Sequence, residues 1–151
     1  MPLSFRPGLA ADFAYCERLY FANMERINRE LNLDHTTQVA SFRRQWNANE
    51  TRIIMLEGAD IGWLQSATRE GIFFLAQLFI DAAYQKRGIG TEVMHRLIGE
   101  ATARKEAMTL GVVKINPAKR LYDRLGFRVT HEDHRKFYMR REPGAPASSA
   151  D

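Results

Sequence analysis

The sequence predicts a mixed α/β fold, with a β-sheet flanked by helices. Three observations carry this. A nearly continuous apolar run, Ile72–Ile80, leads through a two-glycine loop into an amphipathic helix. A second apolar strand, Met108–Ile115, leads into a second helix through Asn116-Pro117. Two strand-like segments flank Gly58-Ala59-Asp60 as a hairpin.

The elements follow in order. Leu3–Arg6 is a short edge strand stopped by Pro7-Gly8. Residues 10–24 form a helix, because Phe13, Leu19, Tyr20 and Met24 recur at near-helical spacing. Glu25–Asp34 is polar and charged, and no element is assigned to it. Residues 36–47 form a second helix with Val39, Phe42 and Trp46 on one stripe. Arg52–Glu57 and Ile61–Thr68 are the hairpin strands. Ile72–Ile80 reads as a central strand buried on both faces, its β-branched and aromatic content favouring strand over helix. Residues 91–104 are an amphipathic helix burying Val93, Met94, Leu97, Ile98 and Ala101. Asn116 is read as an N-cap and Pro117 as the first helical residue, with Gly126 as the C-terminal left-handed cap. Phe127–Thr130 and Lys136–Arg140 close the sheet. Residues 1–142 read as one domain, and 143–151, rich in Ala, Ser and Pro, as a disordered tail.

The chain has 151 residues, 45% hydrophobic and 26% charged, which suits a globular domain with a real core. No apolar run approaches the ~20 residues of a membrane helix, and Met1–Arg6 lacks the apolar stretch of a secretory signal. The single cysteine, Cys16, cannot form an internal disulfide, so a reducing, cytoplasmic location is expected. The net charge is +4, but Lys114–Glu142 holds nine Lys/Arg against four Asp/Glu. This basic stretch suits an anionic ligand, a nucleic acid or a solvated face.

The chemistry concentrates in Leu78-Phe79-Ile80-Asp81-Ala82-Ala83-Tyr84-Gln85-Lys86-Arg87-Gly88-Ile89-Gly90-Thr91. A strand, a loop with two glycines and a helix start place successive backbone N–H groups at the positive end of a helix, which makes an anion site. Lys86 and Arg87 add charge. The third glycine of a dinucleotide fingerprint is missing, and no P-loop pattern occurs. A plain strand-to-helix turn is the structural alternative.

Gln85-x-x-Gly88-x-Gly90 resembles the pyrophosphate loop of the GNAT superfamily of N-acetyltransferases. Asn116-Pro117-Ala118-Lys119-Arg120-Leu121-Tyr122-Asp123-Arg124-Leu125-Gly126-Phe127 resembles a second block of that superfamily. The resemblance extends over roughly residues 3–141 and departs at Ala82, where proline is common. It implies a twisted mixed sheet whose central parallel strands, ending at Ile80 and Ile115, splay apart. It implies acetyl-CoA as co-substrate. The pantetheine arm would pair with the backbone of Leu78, Phe79 and Ile80. The pyrophosphate would rest on Gln85, Lys86, Arg87, Gly88, Ile89, Gly90 and Thr91, and Asn116 and Lys119 would also contact the cofactor.

It further implies that Tyr122 protonates the departing thiolate, a role that a phenol can fill. The alternative for Tyr122 is a core aromatic beside Leu121 and Leu125. The central strand offers Phe73, Phe74 and Gln77, none of them basic, so Glu25, Glu30 and Asp34 are weak candidates for a base. The acceptor is an amine on a small molecule or peptide, shaped by segments 25–35 and 131–136. A non-catalytic acyl-CoA sensor and a basic nucleic-acid-binding domain are the alternatives. No metal is expected: His131-Glu132-Asp133-His134 reads as a solvated hairpin turn. The sequence leaves a homodimer open, and no membrane contact is expected.

Overall fold

The computed structural model describes residues 2–146. The strands are β1 (Leu3–Pro7), β2 (Thr51–Leu56), β3 (Ala59–Arg69), β4 (Ile72–Ile80), β5 (Ala107–Val113), β6 (Arg128–Glu132) and β7 (Lys136–Arg141). The helices are α1 (Phe13–Glu30), α2 (His35–Gln45), α3 (Ile89–Ala103) and α4 (Lys119–Arg124). The sheet order is β1-β2-β3-β4-β5-β7-β6, with β4 fourth of seven. The backbone divides into two compact units. One holds the chain up to Ser66 together with Gln77–Ile89, the other Ala67–Ala76 and the chain from Gly90 onward.

In the first unit β1 pairs antiparallel with β2, from Leu3↔Leu56 to Pro7↔Arg52. Strands β2 and β3 pair from Thr51↔Gln65 to Leu56↔Ala59, with a bulge between Ile54 and Met55. Their turn is Glu57-Gly58, with φ of 51° and 84°. Two consecutive positive φ values fit a tight hairpin turn whose twist matches its strands. Ala59 and Asp60, read as turn residues from sequence, are therefore already strand. Gly62 allows β3 to press close to β4: a Cβ there would stand 2.3 Å from the carbonyl oxygen of Phe79.

The core of this unit is aromatic. Trp63, fully buried, meets Phe42 at 5.9 Å and Phe79 at 5.6 Å between ring centroids, and Cys16, Leu19 and Ile53 complete the cluster. Cys16 has no accessible surface. Burial pushes its thiol up to about 12.

Helix α1 corrects the sequence reading at both ends. A 3-10 turn, Ala10–Asp12, precedes it, and Asp12 accepts from Leu9 N at 2.8 Å and from Arg6 at 3.0 Å. The helix continues six residues past Met24. The polar segment Glu25–Glu30 is held by i,i+4 ion pairs, Arg26–Glu30 at 2.9 Å and Arg29–Glu25 at 3.6 Å. It ends in a Schellman motif with Asn32 at φ 54° in the left-handed position. There Leu33 N donates to Asn28 O and Asn32 N to Arg29 O. Asp34 then caps α2, accepting from Thr37 N at 2.9 Å, so α2 starts at His35 and ends at Gln45.

In the second unit β4 and β5 are parallel, as expected, from Ile72↔Ala107 to Leu75↔Leu110. This register covers the first halves of both strands. Strand β5 pairs antiparallel with β7 from Met108↔Arg141 to Val113↔Lys136, and β6 pairs antiparallel with β7. Helix α3 buries Val93, Met94, Leu97 and Ala101. One sheet face, with Phe73, Leu75, Met108, Leu110, Val112 and Met139, is buried. The opposite face is open, and Phe74 is 40% exposed. The expectation that β4 is buried on both faces thus fails: a continuous apolar run shows what a strand tolerates, not that both faces are covered. Strand β5 stops at Val113, and Ile115, read as its last residue, is exposed in the following turn.

Residues Pro143–Pro146 follow β7. Ala145 N donates to Glu142 O at 3.1 Å, and the Arg141 guanidinium donates to Ala145 O. The rest of the expected tail, 147–151, lies outside the described residues.

Candidate cofactor and catalytic site

Strand β4 ends at Ile80, and Asp81 turns the chain. Its amide donates to Ile61 O at 2.8 Å and its side chain accepts from Ala83 N at 2.9 Å, capping a 3-10 turn over Ala82–Tyr84. Gln85 then fastens the loop at two points. Its side-chain amide donates to Ile80 O at 2.8 Å and to Asn23 Oδ1 on α1 at 2.7 Å. Asn23 in turn donates to Leu19 O at 2.9 Å.

Beyond Gln85 the backbone alternates in hand. Lys86 has φ 63° and Gly88 φ 78°, with Arg87 between them. A left-handed lysine costs roughly 1 kcal/mol or more, a strain kept where a function needs the shape. Such alternation turns successive N–H groups toward one concave side. Lys86, Arg87 and Gly88 donate no backbone hydrogen bond among the described residues. Helix α3 begins at Ile89, and the first four N–H groups of any helix have no partner within it. A Cβ built at Gly88 or Gly90 meets nothing within 4 Å, so the loop surface is open there. Loop amides of this kind leading into a helix start are able to accept an anion.

The side chains of this loop divide by role. The Arg87 guanidinium lies over the Tyr84 ring, 5.4 Å from its centroid. Ile89 is 2% exposed, so its side chain anchors the start of the helix in the core. Thr91 is half-buried in the first turn of α3. Leu78, Phe79 and Ile80 are half-buried in β4, and Phe79 packs on Trp63 and Tyr20. Asn23, Asp81 and Tyr84 were missed from sequence. Only Asp81, standing just before a loop turn, carried a local signal for its capping role.

Asn116, Lys119 and Tyr122 lie in the second unit. Asn116 is not the helix N-cap expected from sequence, a position that Ala118 takes; its side chain accepts from Ala118 N at 2.9 Å and closes the turn before the helix. The regular helix starts only at Lys119, because residues 117 and 118 form a turn first. Lys119 is already engaged: it bonds both carboxylate oxygens of Asp123, at 2.9 and 3.2 Å, and sits over the Phe137 ring. Tyr122 is half-buried, and burial pushes its phenol above the ordinary range, which keeps the proton on. Its hydroxyl makes no hydrogen bond among the described residues.

The segments expected from sequence to shape an acceptor pocket are 25–35 and 131–136. Phe21, Ala22, Glu25, Asn28, Arg29 and His35 line a cleft of about 620 Å³ in the first unit. Trp63 is fully buried and belongs to the core. His131 and Glu132, expected in a turn, belong to β6. Asp133 and His134 form the turn, and Asp133 accepts from Arg135 N and Lys136 N at 2.8 and 2.7 Å. Among the described residues no three His, Cys, Asp or Glu side chains converge on a metal-sized site. No helix among them is long and apolar enough to cross a membrane.

The sequence matches the model of the acetyltransferase (GNAT) domain over residues 24–140. No curated protein matches it. Among solved structures, the PaiA N-acetyltransferase from Thermoplasma acidophilum in complex with coenzyme A is 15% identical. Its TM-score is 0.75, over 94% of this chain and 99% of that chain. The ribosomal-protein-S18-alanine N-acetyltransferase from Escherichia coli is 17% identical, with a TM-score of 0.65 over 97% of each chain. At these identities the structural likeness carries the fold.

Proposed function

The chain belongs to the GNAT acetyltransferase family, and on that premise we propose a direct transfer of acetyl from acetyl-CoA to a primary amine. The observation that carries the cofactor half is the loop from Lys86 into α3, with unclaimed amides, positive φ at Lys86 and Gly88 and the helix start at Ile89. The pyrophosphate would rest on Gln85–Thr91. The pantetheine arm would pair with the backbone of Leu78, Phe79 and Ile80. The short β4–β5 register supports this, since it occupies only Ile72–Leu75 of β4.

In the reaction the amine nitrogen attacks the thioester carbonyl. A C–N bond forms and the C–S bond breaks; the thiolate takes a proton, and the nitrogen gives one up to solvent, from which the donor is reprotonated. Backbone N–H of β4 would stabilise the oxyanion, and Tyr122 would supply the proton. Its hydroxyl, without a hydrogen-bond partner among the described residues, supports that role. Asn116 is committed to its turn and Lys119 to Asp123, so their cofactor contacts would be secondary. We place the protein in the cytoplasm on the strength of its one buried, reduced cysteine.

A thermal-shift titration with CoA tests the cofactor site, because a ligand bound only by the folded state raises its stability. Absence of a shift at millimolar CoA would overturn it. CoA release from acetyl-CoA over a panel of amines tests the transfer. Binding without turnover on every amine class would make the chain a CoA-binding sensor instead.

A further inference from the structure

The open face of the second unit's sheet carries a stacked aromatic pair flanked by cationic side chains. On β7, Lys136, Tyr138 and Arg140 alternate with residues of the buried face, and alternation along a strand puts those three on the open side. The Tyr138 ring lies beside Gly111 of β5, where a Cβ would stand 3.4 Å from it. Its other neighbour is His131, stacked at 4.5 Å with an interplanar angle of 9°.

That stack depends on a bulge. The β6–β7 register slips between Val129 and His131, so His131 opposes Tyr138. In a regular ladder Thr130 would stand there and His131 would point to the other face. The Tyr138 hydroxyl is fixed by donating to Asp133 at 2.9 Å. Next along, Arg128 directly opposes Arg140. Like charges opposite each other on a sheet are unfavourable. Arg140 is offset by Glu142 at 2.9 Å, whereas Arg128 makes no ion pair among the described residues.

We propose that this open face docks the acetyl acceptor, and that the acceptor is an acidic polypeptide segment. The proposal rests on the acetyl-transfer reading above. Charge complementarity selects the partner: Lys136, Arg128 and Arg140 outnumber the one carboxylate that pairs with them, and Asp133 is saturated by its own hairpin. Shape selects a polymer. The face has glycine at its centre, and Lys136 to Arg140 spans about 13 Å, enough for roughly four extended residues. The chemistry selects polypeptide over nucleic acid, because an acetyl acceptor needs an aliphatic amine. The exocyclic amines of bases are delocalised into their rings and are poor nucleophiles. Phe74 and Ala76 lie on the same face of β4, and Ala76 precedes the proposed pantetheine strand residues by two positions.

The test uses peptides that carry one lysine and differ only in three flanking residues, either Asp/Glu or Asn/Gln. Acetylation of the acidic peptide should exceed that of the neutral one by about tenfold in kcat/KM. The preference should shrink as salt screens the charges. Lys136→Glu with Arg128→Glu should abolish or reverse it, while the CoA thermal shift stays as in the parent. Lys136→Gln with Arg128→Gln should give the same direction of change if the glutamate pair fails to fold. Anisotropy of a labelled acidic peptide, without acetyl-CoA, reads the face independently of the cofactor reading. Equal rates for both peptides, or a preference that survives both charge variants, overturns the proposal. Oligonucleotide binding at physiological salt that is lost in the variants, with no peptide preference, assigns the face to nucleic acid instead.

Discussion

The carbonyl oxygen of Tyr122 accepts the amide of Phe127 at 3.1 Å, and the two rings meet edge-on with centroids 5.9 Å apart. Gly126 N donates to Asp123 O in the same motif, with Gly126 at φ 93°. Together these bonds form a Schellman cap with its customary apolar contact. Tyr122 thus has a structural duty, met by its backbone and ring, and a hydroxyl that this duty does not use.

The separation makes Tyr122→Phe an informative substitution. The cap and ring contact survive, so stability should change by less than about 1 kcal/mol. The proton donor is lost, so kcat should fall by roughly 10²–10⁴ with CoA affinity little changed. Tyr122→Ala should instead lose about 2–3 kcal/mol of stability. Steady-state kinetics beside thermal melts separate the two, and an unchanged kcat for Tyr122→Phe, where chemistry limits the rate, rejects the assignment.

Gly88 and Gly90 should respond differently to alanine. At φ 78°, Gly88→Ala pays a left-handed strain of roughly 1 kcal/mol. Gly90 lies inside α3 with open space around it, so Gly90→Ala should be neutral or stabilise by up to about 1 kcal/mol. Gly90→Asp should fold yet lose the CoA thermal shift, because it sets a negative charge against the anion site. A full shift in folded Gly90→Asp contradicts the pyrophosphate assignment.

Gln85→Ala removes two hydrogen bonds that hold the loop to Ile80 and to α1. At about 1 kcal/mol for such a bond, CoA affinity should weaken by about 3–10-fold. Asn23→Ala should show a smaller loss of the same kind, since the bond from Gln85 to Ile80 remains. Isothermal titration of the two variants checks the order.

Three donors, Arg135 N, Lys136 N and the Tyr138 hydroxyl, hold the Asp133 carboxyl down at about 2, against an ordinary value of 3.8. A depressed carboxylate contributes stability that is present above its unfolded value and lost as pH falls through its folded value. The contribution should therefore disappear between about pH 3.8 and 2. Asp12 and Asp34 are lowered as well and act with the same sign. Urea midpoints across this range should fall less steeply for Asp133→Asn than for the parent chain.

Much of the fold was legible because apolar spacing and glycine turns report local geometry. The stripe of α3 and the Gly126 cap carried such signals, whereas the parallel pairing of β4 with β5 was reached only through the resemblance of the two motif blocks to a known family. The last turns of α1 did not, because Glu25–Glu30 is held by ion pairs and closed by Asn32 in place of glycine. The open face was hidden for another reason. Lys136, Tyr138 and Arg140 look unremarkable in sequence until the register puts them beside Arg128, and the slip after Val129 that brings in His131 leaves no mark in composition. Asn23 could not be tied to Gln85 at all, since 62 positions separate them.

Cys16 offers an experimental convenience. It is the chain's one cysteine, wholly enclosed, with a thiol that stays protonated at neutral pH. Maleimide reagents require an accessible thiolate. A cysteine placed at an exposed position such as His134 or Glu25 should thus be the sole reactive thiol, with the native residue left in place. Fluorophores or spin labels attached there would report peptide docking and helix motion on a wild-type interior.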